Sequence, residues 1–153
     1  MTEAMTIPAQ IASMQATWPQ FKVRTQTEDT VVWRGAVEAE YDTYSVEISF
    51  TQGDNLPWVR VLRPSLRERP DFQDGPLPHV YWRNDRPFLC LFDPAQNEWN
   101  DGMAISDRFV GWISDWLYFY ETWSLTGKWL GGGRHPGDPV PTTIKQHIDE
   151  VTS

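Results

Sequence analysis

The chain has a single cysteine and no long apolar run, and these two shortages exclude several classes of protein. One cysteine in 153 residues cannot form an intramolecular disulfide, so we expect a cytoplasmic protein rather than a disulfide-stabilised secreted one. The mean hydropathy is −0.52, and no apolar run approaches the ~20 residues of a membrane span. The first residues contain neither the basic nor the apolar region of a signal peptide.

An excess of positive charge is also missing. The chain carries 13 lysines and arginines against 21 acidic residues, a net charge of −8. This balance argues against a nucleic-acid binder that neutralises phosphates, and against docking on an anionic membrane. Several arginines nevertheless cluster in the sequence, which leaves open a local patch for an acidic partner or ordinary ion-paired surface residues. They are Arg60, Arg63, Arg67, Arg69, Arg83 and Arg86.

Motifs for metals, nucleotides and cofactors are lacking as well. The three histidines, His79, His135 and His147, share no ligand spacing and have one cysteine among them, so no metal site is expected. The glycines at 131–133 follow a predicted helix, and no Gly-Lys-Ser/Thr comes after them. They therefore do not predict a phosphate-binding loop. No cofactor is expected.

Aromatic residues, in contrast, are abundant. The chain contains nine tryptophans, and its hydrophobic fraction is 40%. Because each aromatic side chain buries a large area, most of these tryptophans are expected in the core. The remainder would suit an exposed recognition surface. The length predicts one domain over residues 1–153 with a substantial core.

Two helices are predicted from apolar residues at helical spacing. The first covers residues 7–18 and stops at Pro19. The second is long, with Ser106 or Asp107 as its N-cap and Gly127 just past its end. Its apolar stripe consists of Ile105, Phe109, Trp112, Ile113, Trp116, Tyr120 and Trp123.

Strands are predicted between the two helices, from alternating apolar and polar residues. They cover residues 31–39, 44–50 and 58–63, with a short leading strand at 21–23. This order predicts an α+β fold containing an antiparallel four-stranded meander with one buried face. Residues 64–100 are rich in proline and are predicted to be irregular, and residues 142–151 are predicted to form a short final helix.

Cys90 lies in the proline-rich stretch. A free cysteine is usually a small inert residue of the core, but irregular stretches are also where function concentrates. His79 precedes it by eleven residues and would approach it if the loop folds back. The residues alone leave a buried core cysteine and a reactive thiol as open alternatives.

The order of these elements resembles the ubiquitin-conjugating (UBC) fold. In that family a His-Pro-Asn motif lies shortly before a catalytic cysteine in an active-site loop, a leucine follows the cysteine, and a tryptophan precedes a helix. Here His79 precedes Cys90, Leu91 follows it, and Trp99 comes nine residues later.

A set of segments, in order, is similar to the small UBC-like proteins of short CBASS anti-phage operons in bacteria. Such proteins sit beside a cGAS-like nucleotidyltransferase. The segments are residues 32–35, 77–81, 89–92, 98–100, 112–118 and 129–136.

The resemblance implies a thioester mechanism. Cys90 would capture the C-terminal glycine of the nucleotidyltransferase and transfer it to a lysine or another acceptor. Where the family has Pro-Asn after the histidine, this chain has Val80 and Tyr81. The donor that stabilises the oxyanion would then be His79, Asn84 or a backbone N–H.

Other parts of this mechanism stay open in the sequence. Asp93 and Asp101 are candidates for orienting the incoming amine. No activating segment is recognised, so the acyl group would arrive already activated. The aromatic surplus is compatible with a dimer or with a stable complex with the nucleotidyltransferase.

Two other functions compete with the thioester transferase. One is a UBC-like module that scaffolds the nucleotidyltransferase without chemistry, with Cys90 as a core residue. The other is a small cysteine hydrolase in which His79 activates Cys90. The hydrolase predicts a hydrogen bond between the two side chains.

Overall fold

A computed structural model of the chain describes residues 3–70, 76–93, 96 and 98–131. It is a mixed α+β structure with an N-terminal helix, a four-stranded antiparallel sheet, a β-hairpin and a long helix. In chain order the elements are α1 (Ile7–Thr17), β1 (Lys22–Gln26), β2 (Thr30–Glu38), β3 (Thr43–Thr51), β4 (Trp58–Arg63), β5 (Val80–Arg83), β6 (Arg86–Leu89) and α2 (Ile105–Thr126). The predicted final helix, and His135 and His147, lie outside the described residues.

The sheet has the order β1-β2-β3-β4, with every neighbouring pair antiparallel. The predicted meander is therefore confirmed. Alternation in β3 buries Val46, Ile48 and Phe50 on one face, because successive side chains of a strand point to opposite faces. The helices cover this buried face, and the two helices also contact each other.

The core is dominated by aromatic residues, as the composition predicts. Four tryptophans are buried in it and three more pack against it. The predicted apolar stripe of α2 is buried along its length except at Trp112, which is half-buried. The buried tryptophans are Trp33, Trp99, Trp116 and Trp123, and those packed against the core are Trp18, Trp112 and Trp129.

The N-terminus of α2 is capped by a side chain of α1 and not by a neighbouring residue in the sequence. The predicted caps, Ser106 and Asp107, are wrong, because the helix begins at Ile105 and its N-cap residue, Ala104, has no side-chain acceptor. The buried Gln10 accepts a hydrogen bond from the Ile105 N–H (2.9 Å) and donates one to the Met103 carbonyl (3.0 Å). An orphan N–H of the first turn is thereby satisfied.

The prediction that residues 64–100 are irregular is also wrong in part, because they contain the β5–β6 hairpin. Arg83 pairs with Arg86 across a two-residue turn. The turn residues Asn84 and Asp85 have φ angles of 51° and 60°, as a type I′ turn requires at both central positions. The hairpin packs beside the edge strand β4.

Glu47 forms ion pairs on the face of the sheet that points away from the helices. Its carboxylate lies 2.9 Å from Arg34 and 2.8 Å from Arg60. Burial alone would raise the pKa of Glu47, but the hydrogen bonds and charges of the two arginines outweigh it and hold the pKa below its ordinary value. The ionised form is therefore more favoured in the folded chain than in the unfolded chain.

We expect the stabilisation from Glu47 to depend on pH. A lowered folded-state pKa gives stability that is present above the unfolded value of 4.5 and is lost as the pH falls through the folded value. Glu47→Gln should lower the free energy of unfolding by about 1–2 kcal/mol at pH 7. In urea titrations this difference should shrink steadily below pH 4.5. The exposed Glu38→Gln serves as control, and a Glu47→Gln deficit that does not change with pH would contradict the ion-pair explanation.

Candidate functional site

Cys90 directly follows β6 and remains partly exposed. Its backbone N–H donates to the carbonyl of His79 at 2.9 Å, which extends the hairpin ladder by one bond beyond the Val80–Leu89 pair. The thiol lies 3.8 Å from the carbonyl oxygen of Phe92, a weak S–H···O contact. Pairing with His79 therefore fixes the backbone of Cys90 at the end of the hairpin, and the residue as a whole is partly exposed.

His79 is fixed beside Cys90 through its main chain. Its carbonyl accepts a second hydrogen bond, from the indole N–H of Trp116 at 2.9 Å. Its imidazole stacks on Trp129, with ring centroids 4.8 Å apart. Only 7% of the residue is exposed. The structure thus pairs the backbones of His79 and Cys90.

The backbone of His79 adopts a left-handed conformation, with φ at 53°. For a residue other than glycine this conformation costs about 1–3 kcal/mol and persists only where its surroundings enforce it. Here two hydrogen bonds on one carbonyl and an aromatic stack enforce it. Such conformations cluster at functional sites, and this one occurs at His79, the backbone partner of Cys90.

Asn84 is not brought to Cys90. It lies in the hairpin turn, and Cys90 lies beyond the other end of β6. Four residue steps separate Arg86 from Cys90, which is about 13 Å at the rise of an extended strand. An asparagine side chain does not span that distance, so the placement gives no support to Asn84 as an oxyanion donor.

Asp101 lines a cavity of about 310 Å³. Phe92, two residues after Cys90, lines the same cavity together with Asp54 and Trp99. Asp93 is buried, and its carbonyl accepts from the Gln96 N–H at 2.9 Å. Of the two candidate carboxylates, Asp101 lines this cavity and Asp93 does not.

Two residues that support the site were missed in the sequence. The sequence places Trp116 in the α2 core stripe and both Trp116 and Trp129 in segments that carry the family resemblance, but gives neither a role beside His79. The structure shows both against His79, and against each other with ring centroids 5.3 Å apart. The spacing of Trp116 along α2 predicts its burial but not its hydrogen-bond acceptor.

Neither helix in the described part of the chain has the length and apolar character of a membrane span. The same residues contain no group of three histidine, cysteine or acidic side chains arranged to hold a metal ion.

Comparison with known proteins places the chain in a family. No curated protein matches it. A family model described as "Type II CBASS E2 protein" matches residues 10–136, well over half of the chain, and this span includes Cys90, His79 and Asp101. The family's description indicates an E2-like role in CBASS defence. The chain belongs to the Type II CBASS E2 protein family.

Proposed function

We propose that the chain is a single UBC-like domain and acts as a ubiquitin-conjugating-like transferase in CBASS anti-phage defence. Cys90 forms a thioester with the C-terminal glycine of a cGAS-like nucleotidyltransferase and passes that glycine to an acceptor amine. The observation that carries this proposal is the placement of the only cysteine. It directly follows a hairpin strand, is partly exposed, and forms a backbone hydrogen bond with a histidine in a strained conformation.

The chemistry balances without a cofactor if the glycine arrives already activated. The Cys90 thiolate attacks the activated carbonyl carbon, and the activating group leaves with its electron pair. An acceptor amine then attacks the thioester, loses a proton to a base, and expels the Cys90 thiolate. The products are an amide, the protonated base and the regenerated Cys90 thiolate.

A backbone N–H is the oxyanion donor that the placement favours. The Cys90 N–H already donates to His79, and Asn84 lies at the far end of the hairpin. Leu91, the next residue, donates no backbone hydrogen bond within the described ranges. Leu91 follows Cys90 directly in the sequence, and its N–H is the donor that we propose for the developing negative charge.

Asp101 is proposed to orient the acceptor amine and receive its proton. We expect Asp101→Asn to leave thioester formation on Cys90 intact and to slow transfer to an amine by about 10²-fold, a typical contribution of a general base. Single-turnover assays that follow the two steps separately measure this effect. Asp115→Asn, an exposed carboxylate on α2, is the matched control, and equal slowing of both steps would contradict the role of Asp101.

The proposal as a whole is tested by looking for the intermediate. After co-expression with the nucleotidyltransferase, the chain should carry an adduct on non-reducing gels that hydroxylamine removes. A chain that binds the nucleotidyltransferase stably but never carries such an adduct would instead be a scaffold module.

A further inference from the structure

A second concave site lies on the face of the sheet that points away from the helices. It is a groove of about 580 Å³ between that face and the β5–β6 hairpin, which we term the sheet–hairpin groove. Its floor includes Ser49 and Thr51 of β3, and its walls include Trp58, Arg83 and Arg86. Neither Cys90 nor Asp101 lines it. The proposed transfer chemistry makes no use of this groove.

Two arginines in the groove are placed side by side. Arg83 and Arg86 are direct cross-strand partners, so their side chains lie on one face of the hairpin about 5 Å apart at Cβ. Like charges in this arrangement destabilise a strand pair. Neither guanidinium forms an ion pair with a carboxylate of the described residues, Asp85 of the turn included. A bound anionic group would relieve the repulsion.

Aromatic side chains hold one of these arginines in position. The Arg83 guanidinium lies over the Trp58 ring at 4.1 Å from its centroid and 5.8 Å from that of Phe88. Stacking fixes the guanidinium plane and leaves its N–H groups to bind a carboxylate in bidentate fashion. A guanidinium ordered in advance loses less entropy when a ligand binds.

The floor of the groove adds further positive charge. Arg60 lines it and is held by Glu47, which also pairs with Arg34 on the neighbouring strand. The single negative charge of Glu47 therefore balances only one of the two positive charges of Arg34 and Arg60. With Asp54 at its edge, the groove and this ion-pair network contain four arginines against two carboxylates, on a chain whose net charge is −8.

The shape of the groove favours an extended peptide over a nucleotide. Glu47, Ser49 and Thr51 are alternate residues of β3 and line the floor, a length of about 13 Å that matches about four extended residues. Arg83 covers one face of Trp58, while Tyr81 and Phe88 approach its ring edge to face. The ring face under Arg83 is therefore not open for stacking on a nucleobase.

We infer that the sheet–hairpin groove binds an acidic, extended peptide segment of a partner protein. Carboxylates of the segment pair with Arg83 and Arg86, and its backbone follows β3. The surface provides docking that is separate from the transfer chemistry, although β6 connects it directly to Cys90. It also explains why these arginines cluster in a chain with an acidic excess.

Fluorescence anisotropy with the full chain tests this inference. The probe is a labelled, C-terminally amidated peptide of about eight residues in which glutamate alternates with valine, so that its carboxylates share one face when extended. We expect saturable binding that weakens as salt is raised. Arg83→Glu/Arg86→Glu should weaken it by about tenfold or more. Cys90→Ala should bind the peptide as the unaltered chain does. Failure of peptide binding can therefore be told apart from failure of thioester formation.

The control variant is Lys22→Glu/Arg24→Glu, which makes the same change of charge on β1 at the opposite edge of the sheet. It should bind the peptide normally. Equal weakening by both double variants, equal binding of a peptide with lysine in place of glutamate, or no binding at all would overturn the inference. So would a preference for adenosine monophosphate over the peptide, or occupation of the groove by a second copy of the chain in sedimentation and cross-linking experiments.

Discussion

Replacing Cys90 with alanine is expected to abolish conjugation completely and to leave the fold in place. The Cys90 thiolate is the nucleophile of the first proposed step and the leaving group of the second, and no other cysteine is present to replace it. A thiol and a methyl group differ little in volume, and the backbone N–H of residue 90 still reaches the His79 carbonyl. The melting temperature should therefore fall by no more than about 2–4 °C, the effect of about 1 kcal/mol at this chain length.

Cys90→Ser provides the matched control for this prediction. A hydroxyl is smaller and more polar than the thiol but can also be acylated, and the ester that it forms is more stable than a thioester towards thiols. We expect the serine chain to accumulate the first adduct slowly and to pass little of it to amines. If Cys90→Ala conjugates at the rate of the unaltered chain, Cys90 is not the nucleophile.

Replacing Trp116 with alanine is expected to cause a large loss of stability. The side chain is almost fully buried and stacks on Tyr120, with centroids 5.6 Å apart, and packs against Trp129 at 5.3 Å. Removing a buried tryptophan leaves a cavity and costs about 3–5 kcal/mol. The His79 carbonyl also loses one of its two donors. Urea unfolding should show the loss directly, and an unchanged midpoint would show that Trp116 is not a core residue.

Two further variants separate packing from hydrogen bonding at Trp116. Trp82→Ala, at a position 46% exposed, should change the free energy of unfolding by no more than about 0.5 kcal/mol. Trp116→Phe retains an aromatic ring but removes the indole N–H. If that hydrogen bond helps to hold His79 in its left-handed conformation, the phenylalanine variant should lose transfer rate out of proportion to its loss of stability.

Hydrophobic periodicity predicts most of the fold because each long element buries one face. The strand at 58–63 and the long helix from Ile105 are found where the pattern places them. Predictions from local sequence fail where a residue distant in the chain makes the stabilising contact. The α2 cap is Gln10, 95 positions away in sequence, and no local capping motif signals it. The predicted cap Ser106 instead forms a hydrogen bond with Ser13 at 2.7 Å.

The hairpin was missed because its local signals are weak. Its strands have only four residues each, Pro87 lies within β6, and the turn contains Asp85 where glycine is usual. Missing the hairpin also affects the prediction of the candidate site. Without the hairpin register, the sequence cannot show that His79 and Cys90 face each other or that Asn84 lies at the opposite end. A resemblance of order and spacing singles out Cys90, but the positions of its neighbours depend on tertiary pairing.

The most direct test of the transferase proposal is the intact mass of the chain, measured without reductant after co-expression with the nucleotidyltransferase. The unaltered chain should carry an adduct that thiol reagents remove. Cys90→Ala should carry none, and Cys90→Ser should carry a thiol-resistant one. A stable non-covalent complex with no adduct on the unaltered chain would contradict thioester catalysis and leave a scaffold module with Cys90 as a structural residue.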